Sequence, residues 1–311
     1  CAVNIPNHRS AGAGQRAGGK SNQVRLEREG RDAVVLPPDS HVHSEWSWDA
    51  LSGSMDATCV RAVDLGLPSL AFTEHADVTS WTIPVEASLP AGWSSFLDGD
   101  LLTPPMLDLD GYRACLDLCR LKYPMLQILS GVELSEPHWN QVDAGALLLA
   151  GEFDRILASV HSAPIPGVGF VEFSSRYLHQ SPDQVVRDYL AEAARMVVGF
   201  DGFEILAHID YPVRYWPADV KPYDPNDFED DYRSVLAALA SADKVLEVNT
   251  RVPLHLEIVR WWHDTGGKAI SFASDAHDPA DLANGFAAAT QLAEAGGFRP
   301  SRDPFGFWGR G

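Results

Sequence analysis

Basic side chains are scarce in this 311-residue sequence: 24 Lys and Arg stand against 43 Asp and Glu, a formal net charge of −19. A chain so anionic is a poor partner for nucleic acid held by phosphate neutralisation, and none is expected. Long apolar runs are also missing. No stretch of roughly eighteen apolar residues occurs, so no membrane-spanning helix is expected. Cysteine is confined to Cys1, Cys59, Cys115 and Cys119. They are too few and too badly spaced for a disulfide framework, which fits a reducing compartment and predicts a cytoplasmic location. Cys115 and Cys119, four apart on a predicted helix with no second pair nearby, read as packing residues. Neither a G-x-S-x-G elbow nor a P-loop is present, so neither a serine nucleophile nor P-loop chemistry is invoked.

What is there divides the chain into three parts. Residues 1–35 hold six basic and three acidic side chains, and 9–31 are rich in Gly, Ser, Ala and Arg with almost no apolar periodicity. Such a segment cannot offset its ordering entropy, and 1–32 is expected to be a disordered basic tail. From 33 to 298 short apolar runs alternate with amphipathic stretches, the pattern of an α/β domain with a parallel sheet. Residues 299–311 are expected to be a C-terminal tail. Seven strands are predicted, at 33–36, 67–75, 126–133, 154–161, 203–209, 244–250 and 268–274. Between them, a helix from Asp56 to Leu65 closes on Gly66, and another over 182–198 opens with Ser181 as N-cap and Pro182 in the first turn.

The informative feature is where potential metal ligands fall. His41 and His43 follow the first predicted strand, and His75 ends the second. Glu133 ends the third, His161 the fourth and His208 the fifth, while Asp275 and His277 follow the last. In a closed parallel barrel the C-terminal ends of all strands meet on one face, so these residues would gather into one cluster. A lone strand-end histidine is most often a hydrogen-bonded core residue, but repetition from strand to strand argues for a metal site. The H-x-H pair adds to it, because alternate residues of an extended segment point the same way and can clasp one ion.

The stretches DSHVHSEWSWD (39–49), FTEHAD (72–77), SGVELS (130–135), ASVHS (158–162), LAHIDYPVRY (206–215), LEVNT (246–250) and FASDAHDP (272–279) resemble, in order, the motifs of the PHP (polymerase and histidinol phosphatase) superfamily. The likeness is strongest to its histidinol-phosphatase branch, through Glu74-His75, Ser159 to His161 and the run from His208 to Arg214. It extends from about residue 39 to 295. The resemblance implies a distorted seven-stranded β/α barrel, TIM-like, with up to three divalent ions at the C-terminal face. By position, His41, His43 and Asp275 would hold the first ion, and Glu133 would bridge it to a second completed by His161 and His208. Asp49, His75 and His277 would hold a third, with Glu45 or Asp56 as alternatives to Asp49. Glu133, Asp275 and His277 would also carry the catalysis.

Histidine and carboxylate mixtures suit Zn²⁺, Mn²⁺ or Fe²⁺. A pair of such ions about 3.5–4 Å apart lowers the pKa of a shared water and orients its in-line attack, which makes a phosphate monoester the natural substrate. In so acidic a body, Arg214, Arg251 and Arg176 stand out as partners for the phosphate. Residues 78–110, with Trp81, Trp93 and Phe96, are too long for an ordinary βα loop and read as a lid or wall of the substrate entrance. The activity implied is hydrolysis of L-histidinol phosphate in histidine biosynthesis. Another small phosphoester, such as a nucleoside phosphate or bisphosphate, is the alternative substrate. A noncatalytic metal-binding barrel is the alternative from another class.

Overall fold

The computed structural model describes residues 36–87, 89–90 and 92–311. The expected basic tail, and all but Leu36 of the strand expected at 33–36, lie outside the described residues.

Seven strands run parallel in chain order: β1 (Asp39–Val42), β2 (Ser69–Asp77), β3 (Gln127–Ser135), β4 (Arg155–Ser159), β5 (Ile205–Leu206), β6 (Val245–Asn249) and β7 (Ala269–Ala273). The first strand is therefore DSHV, so His41 lies on it and does not follow it. Between the strands run α1 (Met55–Leu65), α2 (Leu109–Lys122), α3 (Gln141–Gly151), α4 (Pro182–Gly199), α5 (Glu229–Ser241) and α6 (Leu256–Asp264), and α7 (Phe286–Ala295) follows the last strand. The start of α1 is capped by Ser54 Oγ, which accepts from the Ala57 amide, and Gly66 ends it at φ 69°, a left-handed turn open to glycine. Ser181 occupies the N-cap of α4, but its hydroxyl makes no capping bond there.

Alternation along the strands separates two environments. Ala158, Leu206, Leu246, Val248, Ile270 and Phe272 point outward into a core shared with the helices, built around Trp262, Tyr189, Tyr232 and Phe286. Leu157, Ile205, Ala207 and Val245 face the other way and pack together with Ala269 and Phe307, closing the end of the barrel at which the strands begin. Beyond them, on the same inward face, come Glu133, Glu247 and the histidines.

The barrel closes at its C-terminal end only. There the His43 amide donates to the Ala276 carbonyl and the Asp275 amide to the His41 carbonyl, both at 2.9 Å, joining β1 to the end of β7. The Asp39 carboxylate tightens the seam by accepting from the amides of Ser274 and Ala283 at 3.0 and 3.1 Å. Four residues of β1 are too few to cover the start of β7. That edge is taken by the C-terminal segment, so 299–311 is not a free tail. Trp308–Arg310 forms β9, which pairs antiparallel with Ala269–Ile270 of β7 and with β8 (Phe298–Arg299). This substitution of an antiparallel strand for half of β1 distorts the barrel.

The long 78–110 connection folds into a wall of its own, a small three-stranded sheet of Trp81–Thr82, Leu101–Leu102 and Leu97–Asp98 with a turn at Trp93–Phe96. No helix among the described residues is long and apolar enough to cross a membrane.

Trp308 is buried, its ring 4.9 Å from Phe272. Trp308→Ala should lower unfolding stability by about 3 kcal/mol in urea titration, as loss of a large buried ring does. A tail that merely trailed the barrel would leave the midpoint unchanged.

Candidate metal centre

Strand register brings the polar residues to one level. β2 and β3 pair His75 with Glu133 and Asp77 with Ser135, and β3 and β4 pair Ser135 with Ser159. His161 follows β4, His208 follows β5 at φ 22°, and Asp275 follows β7 at φ 53°. A left-handed backbone at these two non-glycine positions is strained, which the closing seam and its neighbours sustain.

Glu133 lies at the centre. Its Oε2 is 3.2 Å from His41 Nε2, 3.4 Å from His43 Nε2 and 3.2 Å from His75 Nδ1. Its Oε1 is 2.8 Å from His208 Nε2 and 3.4 Å from His161 Nε2. Asp275 Oδ1 lies 3.5 Å from His43 Nε2 and 3.8 Å from His41 Nε2. Asp49 spans His75 Nε2 at 3.5 Å and His277 Nε2 at 3.3 Å. The alternatives to Asp49 are engaged elsewhere: Glu45 accepts from the Met55 amide, and Asp56 pairs with Lys122 and Tyr123. Four sets of three donors each converge within 4.8 Å: His41, His43 and Asp275; Glu133, His161 and His208; His43, His75 and His277; and His75, Asp77 and His161.

Hydrogen bonds behind the imidazoles fix which nitrogen carries the proton. His41 Nδ1 donates to Glu247 at 2.8 Å, so its Nε2 lone pair faces inward. Ser47 Oγ donates to Glu74 at 2.6 Å and accepts from the His75 amide, which leaves it to accept from His43 Nδ1 at 2.9 Å. Ser135 donates to Asp77 and accepts from His161 Nδ1 at 2.8 Å. All three rings therefore turn Nε2 toward carboxylate oxygens and toward one another, His41 Nε2 and His43 Nε2 being 2.9 Å apart. So many ring nitrogens and carboxylate oxygens crowded into a buried site call for positive charge: burial opposes protonation of His41 and His161, but Glu247, Glu133, Asp275 and Asp77 raise the pKa of both, and a metal ion could take the protons' place. Asp49 Oδ1 and His208 Nδ1, both buried, also lack a hydrogen-bond partner.

Charge balance agrees. Burial would raise the Glu133 carboxyl, but His41 and His75 beside it hold it well below the usual range. Burial acts likewise on Asp275, and Arg214 and His41 more than reverse it. His43 is pushed down to about 4 by burial and by the neighbouring His75 and His277, so it is neutral at neutral pH and could serve as a ligand. Burial opposes protonation of His75, yet Asp49, Asp77 and Glu133 carry its pKa up to about 9. The carboxylates thus draw protons onto imidazoles, and a metal ion would compete with those protons.

The PHP domain family matches residues 39–251. The chain belongs to the PHP family. Among PHP relatives, the histidinol-phosphatase of Lactococcus lactis subsp. lactis is 25% identical over 247 residues, 77% of this chain and 83% of that protein. A Thermotoga maritima protein named "Probable histidinol-phosphatase" is 26% identical over 255 residues, 79% and 87% of the two chains. A crystal structure of the L. lactis histidinol phosphate phosphatase, complexed with Zn, L-histidinol and phosphate, superposes with a TM-score of 0.70 at 24% identity, covering 85% of this chain and 95% of that one. That likeness establishes the PHP barrel as the fold.

Above this cluster of the PHP barrel lies a cleft of about 240 Å³ whose walls include Trp48, Trp81, Trp93, Tyr211 and Tyr215. Arg214 and Arg251 both line it. Arg214 pairs with Asp275 Oδ2, and Arg251 Nη1 sits 3.0 Å from His277 Nδ1. Arg176, expected beside them, is elsewhere: its guanidinium lies over Phe173 and donates to the Ala163 carbonyl, outside the cleft lining.

Three acidic residues of the site escaped the sequence argument. Asp77 was legible in principle, standing two residues after His75 on an extended strand and hence on the same face. Glu247, a charge in the middle of an apolar strand run, was a second such signal. Glu74 was marked only as the motif neighbour of His75, and its role runs through the Ser44 and Ser47 hydroxyls.

Glu247→Gln keeps the shape but removes the negative charge behind His41 Nδ1 and, with its oxygen held by the His208 amide, turns an NH2 toward that ring. It should weaken Zn²⁺ retention about 10–100-fold in chelator competition, with the fold intact by circular dichroism. Because His75 is protonated below about pH 9, metal loading at pH 7 should release protons and affinity should rise from pH 7 to 9. Calorimetry in buffers of different ionisation enthalpy measures both, and pH-independent affinity would refute the competition.

Proposed function

We propose that this chain is a metal-dependent phosphomonoesterase that hydrolyses L-histidinol phosphate to L-histidinol and phosphate. The observation that carries the reading is Glu133, ringed by five imidazoles within 3.4 Å at the floor of a cleft rimmed by two arginines and an aromatic wall. The L. lactis relative, with Zn, L-histidinol and phosphate in its structure, supports the same substrate.

In this proposal His41, His43, Asp275 and Glu133 would hold a first divalent ion, Glu133, His161 and His208 a second, and Asp49, His75 and His277 a third, with Zn²⁺, Mn²⁺ or Fe²⁺ suited to such donors. Two to three ions bound there would supply Lewis acidity and a hydroxide nucleophile at neutral pH. The chain's own contribution is placement. Arg251, with 47% of its side chain exposed, is free to turn onto a phosphate oxygen, and Arg214 adds a second, more buried guanidinium. Glu133, Asp275 and His277, all on the cleft lining, are assigned the catalytic weight. Trp48, Trp81 and Trp93, with ring centroids 4.7–6.1 Å apart, exclude water and offer flat faces to an imidazole, while the anionic body favours a substrate whose organic half is cationic. A cytoplasmic location fits this metabolic role.

A panel of phosphomonoesters and nucleotides assayed with Zn²⁺ or Mn²⁺ tests the proposal. Histidinol phosphate should give the highest kcat/KM. Arg251→Met should lower that value roughly a hundredfold, the equivalent of a charge-assisted contact of about 3 kcal/mol. A nucleotide or bisphosphate preferred tenfold or more would overturn the substrate and leave metal-dependent hydrolysis standing.

A further inference from the structure

Helix α2 has two apolar faces. Tyr112, Leu116 and Cys119 point into the core. On the opposite side Ala114, Leu118 and Leu121 form a second stripe at spacings of four and three residues, which Met125 extends in the turn after the helix. Leu118 is 67% exposed, Leu121 80% and Met125 94%. Apolar residues scattered singly over a surface are ordinary, but a stripe at this spacing is the seam by which one helix packs on another. Apolar surface continues on both neighbouring helices, through Val60 and Val63 of α1 and Val142 and Leu149 of α3.

Charge singles out the same helix. α2 carries Arg113, Arg120 and Lys122 against Asp110 and Asp117, whereas α1 and each of α3 to α7 hold more acids than bases. Two copies of a chain with a net charge of −19 repel one another, and they repel least where their α2 helices meet.

We propose that α2 is the seam of a homodimer, in which the α2 helices of two copies run parallel along a two-fold axis. Leu118 packs on the partner's Leu118, and Leu121 on the partner's Leu121. In a parallel pair the residue just before one seam position faces, across the interface, the residue just after the next. Asp117, before Leu118, therefore faces the partner's Lys122, after Leu121, and the two-fold axis makes this ion pair twice. Antiparallel packing would set Asp117 against the partner's Asp117 and Lys122 against the partner's Lys122, so charge selects the parallel arrangement. Asp117 and Lys122 are both exposed, and their contacts within one protomer, to Arg120 and to Asp56, are surface pairs that leave them available. One helix pair falls short of the roughly 800 Å² per partner of a standard interface. The two-fold axis sets the α1 side of each copy opposite the α3 side of the other, which extends the contact with apolar surface at both edges.

Sedimentation velocity of the purified full chain tests the proposal, and a dimer is expected at about 10 μM protein. Leu118→Glu and Asp117→Lys should each weaken association at least tenfold. Because both positions are exposed, the circular dichroism spectrum should not change. Adding Lys122→Glu to Asp117→Lys exchanges the charges across the seam and should restore association to within about threefold of the unaltered chain. A monomer at about 100 μM overturns the proposal, whether the face then lies bare, is covered by residues 1–35 or belongs to another protein. A dimer that neither single variant weakens overturns it too, and failure of the double variant to restore association overturns the parallel pairing.

Discussion

Everything at the closed end of this barrel is arranged around one buried carboxylate. Glu133 is buried with no solvent exposure, and five imidazoles from four strand ends point at its two oxygens. An isolated charge in that position would be prohibitive, and a single pairing would leave one oxygen bare. Division of the two oxygens between His41, His43 and His75 on one side and His161 and His208 on the other explains the rest. It demands that strands far apart in sequence arrive at one level, and it leaves lone pairs that only cations reconcile.

The histidines did not choose their orientations. Behind His41 stands Glu247, behind His43 the Ser47 and Glu74 pair, behind His161 the Ser135 and Asp77 pair. Each outer carboxylate is itself buried and would be a liability alone. Together they turn the imidazoles inward and spread the compensating charge over a wide shell, so the site is a network of mutually oriented groups. Trp48 joins that network by donating to Asp77 at 2.7 Å, which ties the aromatic wall to the imidazole layer beneath it.

Much of this was legible from residues at strand ends, because a parallel barrel converts periodic position in sequence into proximity in space. His75, Glu133, His161 and His208 needed only that rule. Residues acting one bond further out were harder. Nothing in the Ser47 hydroxyl announces a relay, since its meaning depends on Glu74 arriving from another strand. The C-terminal segment misled for a related reason: Phe307 and Trp308 lie among Gly, Pro, Arg and Asp, a composition of tails, and their partners Ala269 and Phe272 are too distant for local pattern to reveal. Arg176 showed the converse limit. Residue type suggested a phosphate contact, but the hairpin before it carries the side chain away from the cleft.

The seam between β1 and β7 has a temporal consequence. Its bonds run from His41 and His43 to Asp275 and Ala276, residues separated by more than two hundred positions, and the strand that guards the other half of β7 is the last one in the chain. During synthesis, therefore, no partial product can own the ion cluster. The ribosome must release β7 and the residues just after it before His41 and His43 meet Asp275 and Ala276, and until then the acidic groups of the early strands face water as ordinary solvated charges. Assembly of the centre waits on the arrival of β7 and the residues just after it.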